Sequence, residues 1–301
     1  MFRYKNVVVL MGGISSERDV SLKSGVAISK ALEVSGFNVL EVDICEAKMP
    51  DLPDNIEAVF VALHGNFGED GGIQALLDKL SIPYTGSGTI ASFNAFDKHL
   101  TKQILLGNGL PTPDYTLLVD LPETSMFGYP VVVKPLAQGS SIGIKKVMND
   151  DELRSAVQFV LHLGDTAMVE EFIAGIELTV GILDGEALPP IEIKAPNGWY
   201  GYEAKYTKGA TEYLVPAPIS QDIELMAQKY AVETFEALNC SDMSRVDFRL
   251  DEDGQLYILE INTIPGFTET SLLPKAAACA GISFEALCSR IMNMADVKSE
   301  L

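Results

Sequence analysis

Strand signals change character along this 301-residue chain, and that change limits its fold more than any other feature. Over about the first ninety residues, β-branched runs ("NVVVLMGG", "FNVLEVDI", "AVFVALHG") alternate with helical patterns at Ser15–Ser35 and Ile73–Leu80. Parallel strands need a crossover, usually a helix, so the alternation predicts a small parallel sheet. Ser15 or Ser16 suits the N-cap of the first helix, and Gly36 stands where its C-terminus favours a left-handed residue. From Ile176 onward the pattern is one of hairpins: "ELTVGILDGEALPPIEIK" turns at Asp184-Gly185 and "SRVDFRLDEDGQLYILEIN" at Asp253-Gly254. Between the two regions we expect a helix over Ser92–Gly107, a linker in "GLPTPDYTLL", strands in "YPVVVKP" and "TAMVEEFI" separated by "GSSIG", and a helix over Asp150–Leu163. The length exceeds what one core organises, which implies two or three domains. "APNGWYGYEAKYTKGATEYLVPAP" shows no periodicity and reads as a lid or a disordered segment.

Composition removes several classes. With 22 basic and 42 acidic residues the net charge is −20, which repels a phosphate backbone, so no nucleic-acid partner is expected; a local basic pocket for a small anion stays open. Cys45, Cys240, Cys279 and Cys288 have neither CxxC spacing nor a regular framework and read as reduced core thiols. The apolar run "VVVLM" stops at Gly12, too short for a signal peptide's hydrophobic region or a membrane span. A cytoplasmic protein with no membrane partner is therefore expected.

Chemistry concentrates in the second hairpin. With a loop over Asp251–Gly254, Leu250 lies opposite Gln255, Arg245 faces Glu260, and Asp247 is diagonal to it. The two-residue period then puts Arg245, Asp247, Glu260 and Asn262 on one face, and Val246, Phe248, Leu259 and Ile261 on the core face. Two carboxylates and an amide oxygen, with no His or Cys beside them, suit a hard divalent cation such as Mg²⁺, whose octahedron water and phosphate oxygens complete. Taken alone, the same face also fits a solvated surface with an Arg245–Glu260 pair. "KPLAQGSSIG" supplies backbone donors, two hydroxyls and Lys134, the ingredients of a phosphate cradle, yet it lacks Walker spacing and equally fits a flexible hairpin tip. "MVEEFIAGIE" either presents main-chain groups to a purine edge, with Glu170 or Glu177 in reach of ribose hydroxyls, or is an acidic strand end on the surface.

In combination and in order, "GGISSERDVSL", "ALHGNFGEDGGIQ", "DK" at 97–98, "VVKPLAQGSSIGI", "EEFIAGIELTV", "YEAKY", "SRVDF" and "LEINTIPGFTETSLLP" resemble the ATP-grasp carboxylate–amine ligases, and within them the D-alanine–D-alanine ligase family, over essentially the whole chain. The resemblance implies an α/β fold, α+β in its ATP-grasp part, with ATP held between two antiparallel sheets. It implies three domains: a small N-terminal parallel-sheet β-α-β substrate domain over 1–94, a central ATP-grasp subdomain over 95–180, and a C-terminal ATP-grasp subdomain over 181–301 with a lid loop at about 195–216. Asp247, Glu260 and Asn262 would then hold two Mg²⁺ or Mn²⁺ ions on the ATP phosphates. Lys98 and Lys134 would hold phosphates and Lys205 the γ-phosphate. Glu170 would lie at the adenine end and Glu177 at the ribose, with Glu171 and Ile173 also binding the nucleotide and the Ser140–Ser141 tip closing over the triphosphate. Glu17 would bind the ammonium of a first D-alanine with His64 beside it, although a lone His in such a turn is commonly structural. Ser271 and the Leu272 N–H would hold the carboxylate of a second D-alanine, and Arg245 with the Gly266 N–H would stabilise the oxyanion. Tyr206 would fasten the lid through Ser140 to Glu17 and exclude water, while Trp199, Tyr200 and Tyr202 pack.

The implied activity is ATP-dependent ligation of two D-alanine molecules to D-alanyl-D-alanine through an acyl phosphate, releasing ADP and phosphate, for peptidoglycan precursor synthesis, in a homodimer. Gln138, where an acidic residue is common, and Ile264, where a small one is, depart from the family pattern. Three other readings compete. A nicotinamide oxidoreductase lacks its G-x-G-x-x-G here, since the first turn reads "GGISSER". A nucleotide-binding protein that has lost the reaction would not need Arg245 with all three metal-ligand candidates. A sibling ligase with another amino or hydroxy acid as second substrate is harder to separate, although Tyr206 favours an amine.

Overall fold

The computed structural model describes residues 3–139, 143–195, 211–268 and 270–298. Strands β1 (Asn6–Gly12), β2 (Asn38–Ile44) and β3 (Ala58–Val61) form a parallel sheet in the order β2-β1-β3, with helix α1 (Arg18–Val34) as the crossover from β1 to β2. Val7, Val9 and Met11 pack with Ile28 and Leu32 of α1, while Val8 and Leu10 pack with Ile73 and Leu77 of α2 (Gly72–Lys79). Covering both faces is why β1 reads as an unbroken apolar run. Neither serine caps α1. The Ser15 hydroxyl donates to the His64 carbonyl at 2.6 Å and accepts from the Glu17 N–H at 3.1 Å, so Glu17 stands at the N-cap. Gly36 takes φ +98° just past the helix, as expected of a left-handed terminus.

The single helix expected over Ser92–Gly107 is two, α3 (Thr89–Phe96) and α4 (Lys98–Gly107). Asp97, in an extended conformation, accepts from the N–H groups of His99 and Leu100 and so starts a new helix where the pattern alone would continue the old one. The break makes Lys98 the first residue of α4.

A four-stranded antiparallel sheet follows, in the order β4 (Tyr115–Leu118), β7 (Ala167–Glu171), β5 (Val131–Pro135), β6 (Lys145–Val147). Part of the expected linker is therefore an edge strand, with Pro111 and Pro113 ahead of it where no ladder bond is lost. Helix α5 (Asp150–His162) covers the sheet through Leu153, Ala156, Val157 and Val160. The second antiparallel sheet has the order β11 (Glu212–Leu214), β10 (Ile191–Lys194), β8 (Ile176–Leu183), β12 (Met243–Leu250), β13 (Leu256–Asn262), with β9 (Glu186–Ala187) paired to β8. Asp184 and Gly185 both take positive φ at the β8–β9 turn, as a tight hairpin requires. Helix α6 (Gln221–Ala237) packs Ala227, Ala231 and Phe235 on this sheet, and α7 (Leu272–Cys279) and α8 (Phe284–Met294) join the core of the parallel sheet. No single helix among the described residues is long and apolar enough to cross a membrane. Cys240 and Cys288 are buried, whereas Cys45 and Cys279 are exposed and so are not core thiols; all four are free.

The expected register of the second hairpin is wrong by up to two residues. Leu250 pairs with Leu256, a β-bulge follows between Asp247 and Phe248, and beyond it Asp247 faces Glu260 while Arg245 faces Asn262. The bulge also turns Leu259 out of the core, so that Ile258 and Ile261 pack inside and Leu259 lines a cleft. If the Asp97 cap starts α4, Asp97→Ala should lower the urea-unfolding free energy by about 1 kcal/mol. An unchanged midpoint and slope would show that the helix start does not depend on it.

Candidate active site

The two antiparallel sheets face each other across an open cleft walled by Lys134, Glu170, Glu177, Asp247 and Glu260. It opens into a second hollow reached by Glu17, Lys98 and Asn262, and Arg245 and Glu260 belong to both walls.

At the junction, Arg245 donates from Nε and Nη2 to the two carboxylate oxygens of Asp247 at 2.9 and 2.7 Å, while the Thr179 hydroxyl on β8 donates to Asp247 Oδ1 at 2.6 Å. Glu260 is 3.8 Å from Lys98 Nζ, which also donates to the Gln138 carbonyl at 2.9 Å. Burial pushes the Lys98 amine down and Glu260 partly restores it. Asn262 Oδ1 accepts from the Ile264 N–H at 3.0 Å. Asp247, Glu260 and Asn262 thus offer oxygen atoms only, which fits a hard cation. No group of three His, Cys, Asp or Glu side chains converges among the described residues, so further ligands would be phosphate and water oxygens.

At the inner end, Lys134 Nζ lies 3.1 and 2.9 Å from the two Glu170 oxygens, and a lysine that the sequence reading missed, Lys102, lies 2.7 Å from Glu170 Oε2. Lys102 follows Lys98 by one helical turn on α4, a spacing that could have marked it. Glu171 and Ile173 also line this end. Arg249, likewise missed though two residues beyond Asp247 on the same strand face, donates to the carbonyls of Ile173 at 3.1 Å and Gly175 at 2.9 Å and approaches Glu177 at 3.4 Å. Burial, with Asp247 nearby, pushes the Glu177 carboxyl up to about 8 against the pull of Arg249.

At the other end Glu17 sits against the glycine-rich segment, where a Cβ on Gly139 would lie 2.5 Å from Glu17 Oε2. His64 is buried: Nε2 is 3.2 Å from the Ser24 hydroxyl and Nδ1 is 2.9 Å from the Ile264 carbonyl. Both ring nitrogens therefore join α1 and the segment after β13, and that segment is tied again by the Phe267 N–H donating to Ser24 Oγ at 3.1 Å. Gly266 leaves room for Ser271, whose Oγ would be 3.3 Å from a Cβ there. Ser271 is the N-cap of α7 without a side-chain bond to the helix, and Leu272 is its first residue. Of the two departures, Gln138 acts on Lys98 through its carbonyl, and Ile264 packs in the N-terminal core while its main chain bonds Asn262 and His64. Ser140, Ser141, Trp199, Tyr200, Tyr202, Lys205 and Tyr206 lie outside the described residues.

Two antiparallel sheets closing on a cleft lined by lysines and a carboxylate pair are those of an ATP-grasp enzyme. The family models described as D-ala D-ala ligase N-terminus and C-terminus match residues 45–87 and 110–293. The D-alanine–D-alanine ligase of Syntrophotalea carbinolica is 46% identical over 98% of this chain and 97% of its own, and that of Aquifex aeolicus is 45% identical over 95% and 99%. A solved D-alanine–D-alanine ligase from Bacillus anthracis complexed with ATP superposes with a TM-score of 0.84 at 32% identity, covering 96% of this chain and 97% of that one. The chain belongs to the D-alanine–D-alanine ligase family.

Because the folded-state pKa of Glu177 is raised, its contribution to stability is complete below its ordinary value of 4.5 and is lost as pH rises toward about 8. The stability of the wild type relative to Glu177→Gln should therefore decline across that window, on the order of 1 kcal/mol per pH unit. Urea titrations of both proteins at several pH values measure this, and a flat difference would contradict the protonated assignment.

Proposed function

We propose that the chain joins two D-alanine molecules into D-alanyl-D-alanine with ATP, through an acyl phosphate, and so supplies a peptidoglycan precursor. The observation that carries the reading is the placing of Asp247 opposite Glu260 in a cleft that also holds Lys134 and Arg245, with Lys98 in the adjoining hollow. ATP would lie between the sheets with its purine toward Glu170, Glu171 and Ile173 and its ribose toward Glu177. Lys98 and Lys134, with Lys205, would balance the phosphates. Asp247, Glu260 and Asn262 would hold Mg²⁺ or Mn²⁺, which when bound neutralises phosphate charge during transfer.

A carboxylate is a poor electrophile. An oxygen of the first D-alanine's carboxylate attacks the γ-phosphorus and ADP leaves; the amine of the second then attacks the acyl carbon and phosphate leaves. Glu17 would orient the first substrate's ammonium, with His64 shaping the wall beside it. Arg245, its plane fixed by Asp247, and the Gly266 N–H would stabilise the oxyanion. Ser271 and the unbonded N–H groups at the start of α7, Leu272 first, suit a carboxylate. Ser140, Ser141 and Tyr206 would close the site against water. We also propose three domains in a cytoplasmic homodimer, and because β8 lies wholly in the six-stranded sheet we place the second boundary before Ile176 rather than after residue 180.

With ATP and Mg²⁺ present, phosphate release should require D-alanine; equal release with L-alanine or with no amino acid would overturn the reading. D-lactate competing on equal terms with D-alanine would favour the sibling ligase instead. Glu260→Gln should lower kcat at least about a hundredfold without loss of the fold by circular dichroism, and a fully active variant would remove the metal-site assignment.

A further inference from the structure

Lys102 is completely buried, does not line the cleft, and has no part in the reaction above. A buried ammonium is costly unless every proton finds an acceptor. This one donates to the Thr112 hydroxyl at 2.6 Å and the Pro113 carbonyl at 2.9 Å, and it is paired with the charge of Glu170, whose Oε2 lies 2.7 Å away. The Thr112 hydroxyl passes its own proton to the Ile258 carbonyl at 2.8 Å, so its oxygen accepts from Lys102, and two acceptors and a carboxylate charge surround the nitrogen. Burial nevertheless pulls the amine down to about 8.

Thr112 and Pro111 also connect the two walls of the cleft, because the Ile258 N–H on β13 donates to the Pro111 carbonyl at 2.8 Å. Lys102 therefore joins Glu170 on the four-stranded sheet to a segment bonded to the six-stranded one. With Lys134 it keeps Glu170 below the usual carboxylate range. Lys134 donates to Glu170 Oε1, while Oε2 is held by the charge of both ammoniums without a hydrogen bond, so the ionised carboxylate, which offers about four lone-pair positions, keeps capacity for a further donor. An exocyclic amino group can fill that position and a carbonyl oxygen cannot.

We propose that Lys102 is a positioning residue for nucleotide selection, holding Glu170 ionised and fixed at the base of the cleft so that it accepts from a 6-aminopurine and rejects a 6-oxopurine. The proposal rests on the reading of the cleft as an ATP site. ATP and inosine triphosphate test it because their purines differ at position 6, where one carries an amino group and the other a carbonyl.

Calorimetric binding of each nucleotide to the wild type should favour ATP. In Lys102→Met the ATP/ITP affinity ratio should fall by about tenfold or more, while kcat at saturating ATP stays within about threefold of the wild type. Thr112→Val, which removes one Lys102 acceptor and leaves Glu170 untouched, should shift the ratio the same way by a smaller factor and covers the case in which Lys102→Met does not fold. An unchanged ratio in a folded Lys102→Met, or in Thr112→Val if only that variant folds, would overturn the proposal. So would a fall in kcat with no change in the ratio. Because binding is measured without D-alanine, failure of the ligase reading appears separately, as absent D-alanine-dependent phosphate release; a wild type that binds neither nucleotide would overturn both.

Discussion

Everything in the cleft depends on the pairing of Asp247 with Glu260 across β12 and β13. Like charges placed directly opposite on adjacent strands repel. The fold offsets this with neighbours rather than distance: Arg245 and Thr179 on Asp247, Lys98 near Glu260. The β-bulge beside Asp247 creates the pairing, and it turns Leu259 from the core to the cleft wall. A rule of pattern is broken at the place where chemistry is expected, as is common at sites built for binding.

The same cleft inverts the charge of the molecule. A chain of net charge −20 buries Lys98, Lys134, Arg245 and Arg249 around two adjoining hollows, with Lys102 behind them. Each is set against a carboxylate or carbonyl: Lys98 by Gln138 and Glu260, Lys134 and Lys102 by Glu170, Arg245 by Asp247, Arg249 by Glu177 and two carbonyls. An acidic surface with a basic interior discourages long polyanions and still receives a short one, because field lines concentrate in a narrow low-dielectric cleft.

Much of this was legible in the sequence because short-range rules governed it. The parallel sheet followed from alternating runs, the β8–β9 turn from Asp184-Gly185, and the acidic strand face from period two. What escaped was set by contacts distant in sequence or by a single side chain. Asp97 divides a continuous helical pattern by capping it, Ser15 bonds the His64 carbonyl instead of a helix, and Tyr115–Leu118 becomes a strand only because β7 lies beside it. The bulge has no local marker such as glycine at Asp247 or Phe248, so uniform alternation misplaced Arg245 and Leu259. Lys102 and Arg249 look like surface charges in sequence, and their burial depends on acceptors contributed by other elements. The family motifs placed Lys134, Glu170 and Glu177 in one cleft and Lys98 in the adjoining hollow without revealing that Glu170 is held by two lysines.

The most direct measurement is anomalous diffraction from a crystal of the protein grown with ADP and Mn²⁺. The account predicts manganese peaks directly coordinated by carboxylate oxygens of Asp247 and Glu260, with Asn262 Oδ1 on the same cluster and the nucleotide phosphates opposite. Peaks bound elsewhere, or a nucleotide whose phosphates point away from that strand pair, would contradict it.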